Sequence, residues 1–213
     1  MTLTQLREAG LTRVVGTQWP IAAVGAALLV GSWAVIALAD SRLPAWEAAT
    51  FARINELPDA LRPALWTPMQ AGNFWIFAVV APILVAVYRR PAPAVAVAIA
   101  CVAAWALAKV VKATAGRGRP GDLLADVILR EAGIHGRGFV SGHAAVVTAL
   151  VVALAAWAPK PFLPIGIAVV VLVGFARVYV GAHLPLDVIG GIGVGMICGA
   201  FAGFVVGVPT PPV

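Results

Sequence analysis

Uncharged apolar runs, cut by short polar clusters, give this chain its pattern. Pro20 to Ala39 is an apolar run of 20 residues. At 1.5 Å rise per residue a helix of that length spans about 30 Å, the thickness of a bilayer's hydrocarbon core. The same reading places spans at about 73–88, 94–111, 143–158, 162–180 and 185–208, six in all. The second opens at Asn73 and ends at Arg89-Arg90-Pro91, and the fourth closes at Pro159-Lys160-Pro161. Between the first two spans, Phe51, Ile54, Leu57, Leu61 and Leu65 recur at spacings of three and four. Arg53, Glu56, Asp59 and Arg62 stand between them, and Pro58, Pro63 and Pro68 interrupt. That pattern predicts an interfacial amphipathic segment, with an ordinary connection folded on the bundle as the alternative. Trp46 and Trp66 suit a headgroup-level belt.

Composition supports one membrane-embedded domain over residues 1–213. The chain is 62% hydrophobic and 11% charged, against about 25% charged in soluble domains, and its mean hydropathy is +0.97. A lipid-spanning backbone must satisfy its own hydrogen bonds, and no strand alternation marks a β-barrel. The expected class is therefore all-α, a six-helix transmembrane bundle. Ala37-Leu38-Ala39 looks like a signal-peptidase site. The run before it exceeds the usual 7–15 residues of a signal core, so a retained first helix is favoured. Cys101 and Cys198 lie inside apolar runs and read as packing residues. The net charge of +6 fits topology signals and anionic lipid. No basic run exceeds two residues, so a nucleic-acid partner is not expected.

Three polar clusters carry the candidate chemistry. They are Lys112 to Arg119-Pro120, Ser141-Gly142-His143, and Arg177 to His183 and Asp187. With six spans, the connections 1–2, 3–4 and 5–6 emerge on one face, which puts all three clusters on the same side. Lys112, Arg119 and Arg177 are cations suited to phosphate oxygens. Gly116, Gly118 and Pro120 stop the third span, so that Arg119 can turn inward. Ser141-Gly142 opens the fourth span, where free backbone N–H groups favour an anion. Ser141 is equally a good helix cap. His143 is placed to donate a proton. His183 and Asp187 share a helix face at i, i+4, so a carboxylate on one ring nitrogen would leave the other free to attack. Metal-ligand spacing is poor. Arg117, Arg130 and Arg137 read as snorkelling side chains or headgroup contacts.

Together the clusters resemble the type-2 phosphatidic acid phosphatase superfamily of membrane phosphatases. Lys112, Arg119 and Pro120 match its first motif. Ser141, Gly142 and His143 match the second, with Val140 in place of Pro. Arg177, His183 and Asp187 match the third, with Ala176 in place of Ser. The resemblance covers spans three to six, and the first 90 residues only in architecture. It implies that His183 is the nucleophile, Asp187 its orienting group and His143 the acid for the leaving group. Lys112, Arg119, Ser141, Gly142 and Arg177 would then hold phosphate, with no cofactor or metal. The expected substrate is a lipid phosphomonoester or pyrophosphate, first a polyprenyl carrier (pyro)phosphate. Phosphatidic acid or phosphatidylglycerophosphate hydrolysis, lipid phosphotransfer, and lipid-phosphate binding or transport without turnover are the alternatives. The resemblance also implies an active face outside the cell membrane. The charge count does not favour that side: ten Lys/Arg, Arg42 among them, lie on the motif face, against five (7, 13, 89, 90 and 160) on the other.

Overall fold

The computed structural model describes residues 3–39, 43–159 and 161–207, with side chains from residue 16 onward. Arg42, Lys160 and the end of the sixth predicted span at Val208 lie outside the described residues, as do the side chains of Arg7 and Arg13. The described residues are helical and turn-forming, with no strand among them. The helices are α1 (Leu3–Leu38), α2 (Ala45–Asn55), α3 (Arg62–Met69), α4 (Ile76–Tyr88), α5 (Ala92–Ala115), α6 (Pro120–Leu123), α7 (Gly142–Ala155), α8 (Phe162–Tyr179) and α9 (Pro185–Val206).

The span lengths differ from the sequence expectation. Gly16–Leu38 of α1, Ala92–Leu123, α8 and α9 are long and apolar enough to cross a membrane. A fifth crossing is reached only if α4 is joined to Asp59–Gly72, from which it is bent by 71°. The expected fourth span is the shorter α7, whose 14 residues extend about 21 Å. Length and composition thus support four or five crossings where six were expected. Most of α7 is buried from Ala144 to Val151, so protein covers it on nearly every side.

The central element is α9, which packs on α1, α7 and α5. Between apolar helices in lipid, close approach replaces hydrophobic expulsion as the source of packing energy, and small residues permit it. A Cβ at Gly193 would stand 2.5 Å from the Gly25 carbonyl oxygen of α1. One at Gly195 would stand 2.5 Å from the Ala145 carbonyl oxygen of α7. Cys101 and Cys198 sit within the largest apolar cluster, alongside Val97, Val146 and Val194, as packing residues should.

The segment between α1 and α4 is folded onto the bundle as helices α2 and α3, which pack against α8, with α2 also reaching α9. Phe51 and Leu65 face inward, while Arg53, Glu56, Arg62, Trp46 and Trp66 are exposed, as the amphipathic pattern requires. Two departures matter. Leu61 is exposed, and Glu47 and Asn55 are buried on the same α2 face as Phe51.

Candidate active site

The first cluster is built by the end of α5. The helix runs one turn beyond the expected boundary to Ala115, so Lys112 lies in its last turn, and Gly116 ends it in the left-handed region at φ 65°. Arg119 is extended and caps α6, with Pro120 in that helix's first turn. Its side chain is braced by backbone oxygens, donating from Nε to His135 O at 3.0 Å and from Nη1 to Ala182 O at 2.8 Å. Lys112 Nζ donates to the carbonyls of Arg137 at 3.0 Å and Gly138 at 3.1 Å. Loop carbonyls therefore hold both cations in place without neutralising them.

The second cluster starts α7. Ser141 is fully buried. Its Oγ accepts from Ala144 N–H at 3.5 Å, and its own N–H donates to Asp187 O at 2.8 Å. Ser141 is thus the helix cap, and Gly142 and His143 are the residues of this cluster that line the cavity. Gly72 approaches His143 so closely that a Cβ there would stand 2.7 Å from the His143 carbonyl oxygen.

The third cluster spans the α8–α9 junction. Asp187 accepts from Leu184 N–H at 2.9 Å through Oδ2, which closes the first turn of α9. The same Oδ2 lies 3.5 Å from His183 Nδ1, which has no hydrogen-bond partner. This contact is longer than a good hydrogen bond, as ligand-free catalytic contacts often are. With Nδ1 turned to the carboxylate, Nε2 is the nitrogen left for a reacting atom. Burial first, then the positive charges of Lys112, Arg177 and Arg119, push the His183 imidazole well below its ordinary pKa. These effects outweigh a backbone hydrogen bond with Gly138, which raises it, and favour the neutral ring near pH 7.

Lys112, Arg119, Gly142, His143, Arg177 and His183 share one cavity of about 360 Å³. Each of the three clusters thus contributes to one cavity wall. Its remaining sides are Gly72, Asn73, Phe74, Trp105, Ala108, Lys109 and Val146. Among the described residues, no group of three or more His, Cys, Asp or Glu is arranged to hold a metal. The charge facing the cavity comes from Lys and Arg.

Two arginines read as snorkelling are instead buried and paired. Arg117 bridges Asp187 Oδ1 at 2.8 Å and Glu47 Oε2 at 2.5 Å. Glu47, fully buried, also accepts from Leu186 N–H at 2.9 Å. Arg130 pairs with Asp59 at 2.7 Å and donates to the carbonyls of Asn55, Leu57 and Tyr179. Its guanidinium lies 4.2 Å from the Tyr179 ring centre. Exposed Arg137 does reach the surface, but donates to Gly116 O at 2.7 Å. Arg177 found a protein partner as well. Its Nη1 donates to Glu131 at 2.6 Å, while its buried Nε is unpaired. The signal for Glu47 lay in helical spacing: Glu47, Phe51 and Asn55 recur every four residues, so two polar side chains fall on the buried face. A buried carboxylate demands a partner, and Arg117 stands two residues before Arg119.

Comparison with known proteins agrees with this architecture. The sequence profile of the PAP2 superfamily matches residues 93–207. An undecaprenyl-diphosphatase of Sulfolobus acidocaldarius is 33% identical over 120 residues, 56% of this chain and 58% of the relative. The chain thus matches under three-fifths of that relative's length. The crystal structure of Aquifex aeolicus LpxE superposes with a TM-score of 0.66 at 26% identity, over 75% of this chain and 95% of LpxE. A Bacillus subtilis PAP2-type phosphatidylglycerolphosphate phosphatase shares the fold with a TM-score of 0.66 at 18% identity, over 84% and 93%. With its profile match covering α5 to α9 and its three clusters gathered on one cavity, the chain belongs to the PAP2 superfamily.

Proposed function

We propose that this is an integral membrane lipid phosphatase that works through a phosphohistidine. The observation that carries it is His183, neutral and backed by Asp187, on the wall of a cavity that also presents His143, Lys112, Arg119 and Arg177. Nε2 of His183 attacks phosphorus, and the bond to the lipid-side oxygen breaks. The electron pair stays on that oxygen, which takes a proton from His143. A water oxygen then attacks phosphorus while His143 accepts its proton. The P–N bond breaks and inorganic phosphate leaves. Lys112, Arg119 and Arg177 stabilise the charge on the equatorial oxygens, with Gly142 allowing close approach of the α7 backbone. Ser141 acts through its cap. The chemistry calls for no metal.

The substrate class is a lipid phosphomonoester or pyrophosphate. The relative named undecaprenyl-diphosphatase supports a polyprenyl carrier (pyro)phosphate ahead of phosphatidic acid or phosphatidylglycerophosphate. The chain forms one membrane-embedded unit. In a six-crossing reading, α7 serves as the fourth passage within a sheath of protein. The active face is read as extracytoplasmic, following the family resemblance. Cysteine accessibility of residues 121–135 against 89–93 in whole cells tests that side.

The test of function is phosphate release from purified protein across a panel of lipid phosphates. His183→Ala is expected to abolish release while lipid binding persists. Unchanged release in that variant overturns the mechanism. Binding without release by the unaltered protein indicates a lipid-phosphate binder or transporter, and transfer of phosphate to an added alcohol indicates a phosphotransferase.

A further inference from the structure

Lys109 has no role in the chemistry above, and its position is unusual. It lies on the membrane-spanning part of α5, three residues before Lys112. An ionisable side chain at such depth is expensive unless it serves a ligand or reaches the interface. No carboxylate among the described residues pairs with it. Its Nζ lies 3.8 Å from the Trp105 ring centre, and Trp105 packs on Phe74 with centroids 4.7 Å apart. All three line the same cavity as His183. The cavity is therefore graded. Arg119, Arg177 and Lys112 surround the reacting nitrogen, and an aromatic wall bearing one further cation continues toward the lipid-facing side of α5, where Trp105 and Lys109 are exposed.

We propose that Lys109 binds the lipid-side phosphate of a diphosphate lipid, and so sets the preference of this site for diphosphates over monophosphates. The proposal rests on the lipid phosphatase reading above. The terminal phosphate must sit beside His183 for attack. The leaving group then extends along the cavity, past His143, toward Phe74 and Trp105. Residues 109 and 112 are about 4.5 Å apart along the helix axis, a longer step than that between the two phosphorus atoms of a diphosphate, so the two flexible lysine side chains converge to reach adjacent phosphates. Cleavage of the bridging P–O bond leaves its electron pair on the bridging oxygen of the lipid monophosphate, which takes the proton of His143; until that transfer is complete, negative charge builds on the leaving phosphate where Lys109 stands. An ammonium there gains more in the transition state than in the ground state. A lipid monophosphate places its single phosphate at Lys112, Arg119 and Arg177, and puts only its apolar chain beside Trp105. Lys109 then has no phosphate to meet.

The test uses the full chain in detergent micelles with two substrates of identical isoprenoid tail, a diphosphate and a monophosphate. For Lys109→Gln, the ratio of kcat/KM on diphosphate to kcat/KM on monophosphate is expected to fall tenfold or more. Lys109→Arg is expected to restore most of it. Equal losses on both substrates, or no loss on either, would mean that Lys109 only anchors the helix, and would overturn the proposal. An unaltered protein that cleaves the monophosphate alone overturns it too, while leaving the phosphatase reading intact. Release from neither substrate, or release indifferent to His183→Ala, sinks both.

Discussion

Arg117 donates to Asp187 Oδ1 at 2.8 Å, so the carboxylate that faces His183 with one oxygen is clamped by the other. Glu47, from a helix 70 residues away in sequence, takes the second arm of the same guanidinium. Asp187, the proposed orienting group, is thus part of a three-member buried ionic network that ties α2 to the start of α9.

Loss of Arg117 is expected to be costly twice. Arg117→Ala leaves two carboxylates buried without their cation, and removing one member of such a set costs about 3–5 kcal/mol. Thermal unfolding in detergent checks the stability loss. Arg117→Lys keeps the charge but cannot bridge two carboxylates in a planar fork, so phosphate release should fall at least tenfold with a smaller drop in Tm. Equal activity in Arg117→Lys would show that clamping Asp187 does not matter to turnover.

The Arg177–Glu131 pair sets up a competition. Glu131 holds Nη1 at 2.6 Å and places a negative charge where an incoming phosphate seeks the same guanidinium. Glu131→Gln removes that charge while keeping the shape. Inhibition by inorganic phosphate is expected to tighten about 3–10-fold, within the range that one nearby charge at effective dielectric about 20 can supply. Weaker inhibition would mean that Glu131 chiefly positions Arg177.

The pH behaviour follows from His183. Its proton affinity in the folded protein is lowered by burial, then by Lys112, Arg177 and Arg119, so the folded state resists the proton that an unfolded chain takes up below about pH 6.5. This contribution to stability is complete above pH 6.5 and declines as pH falls from there toward the depressed folded value. The acid limb of kcat/KM due to His183 should accordingly lie well below pH 6.5. Lys112→Gln removes one of the depressing charges, and is expected to move that limb upward besides lowering the rate. Profiles from pH 4 to 8 for both proteins check the sign.

Helix spacing gives a prediction away from the site. Gly193→Ala places a methyl group 2.5 Å from the Gly25 carbonyl oxygen and 2.8 Å from the Leu29 nitrogen. Backbone cannot rotate aside, so α1 and α9 must separate. The expected loss is about 1–3 kcal/mol, typical of overpacking. A Tm unchanged by the substitution would show that this contact opens freely.

The all-helical class and the boundaries of α8 and α9 were legible because each rests on local signals: apolar run length and Pro and Gly punctuation. The meeting of Lys112, Arg119, His143, Arg177 and His183 rested instead on a count of six spans, and the structure brings them to one cavity by packing. The crossing count was less legible. A 14-residue apolar helix is too short by length, but becomes a core helix when neighbours cover it. Glu47, Glu131, Arg117 and Arg130 were missed or assigned to the surface for a related reason. A charged side chain looks solvent-facing in a linear pattern until its partner, roughly 45 to 70 positions away, is known.

By itself, the sequence determined that the chain is a helical membrane protein with cations and two histidines at helix ends, because hydropathy, helix punctuation and i, i+4 spacing act over a few residues. Only the tertiary structure decided what holds that chemistry in place. It set Arg117 between Glu47 and Asp187, tied Arg177 to Glu131, bound the Ser141 N–H to the Asp187 carbonyl, and put Lys109 and Trp105 on the cavity wall. Those relations depend on how helices far apart in sequence meet, and a buried charge takes its partner from whichever helix lies within reach.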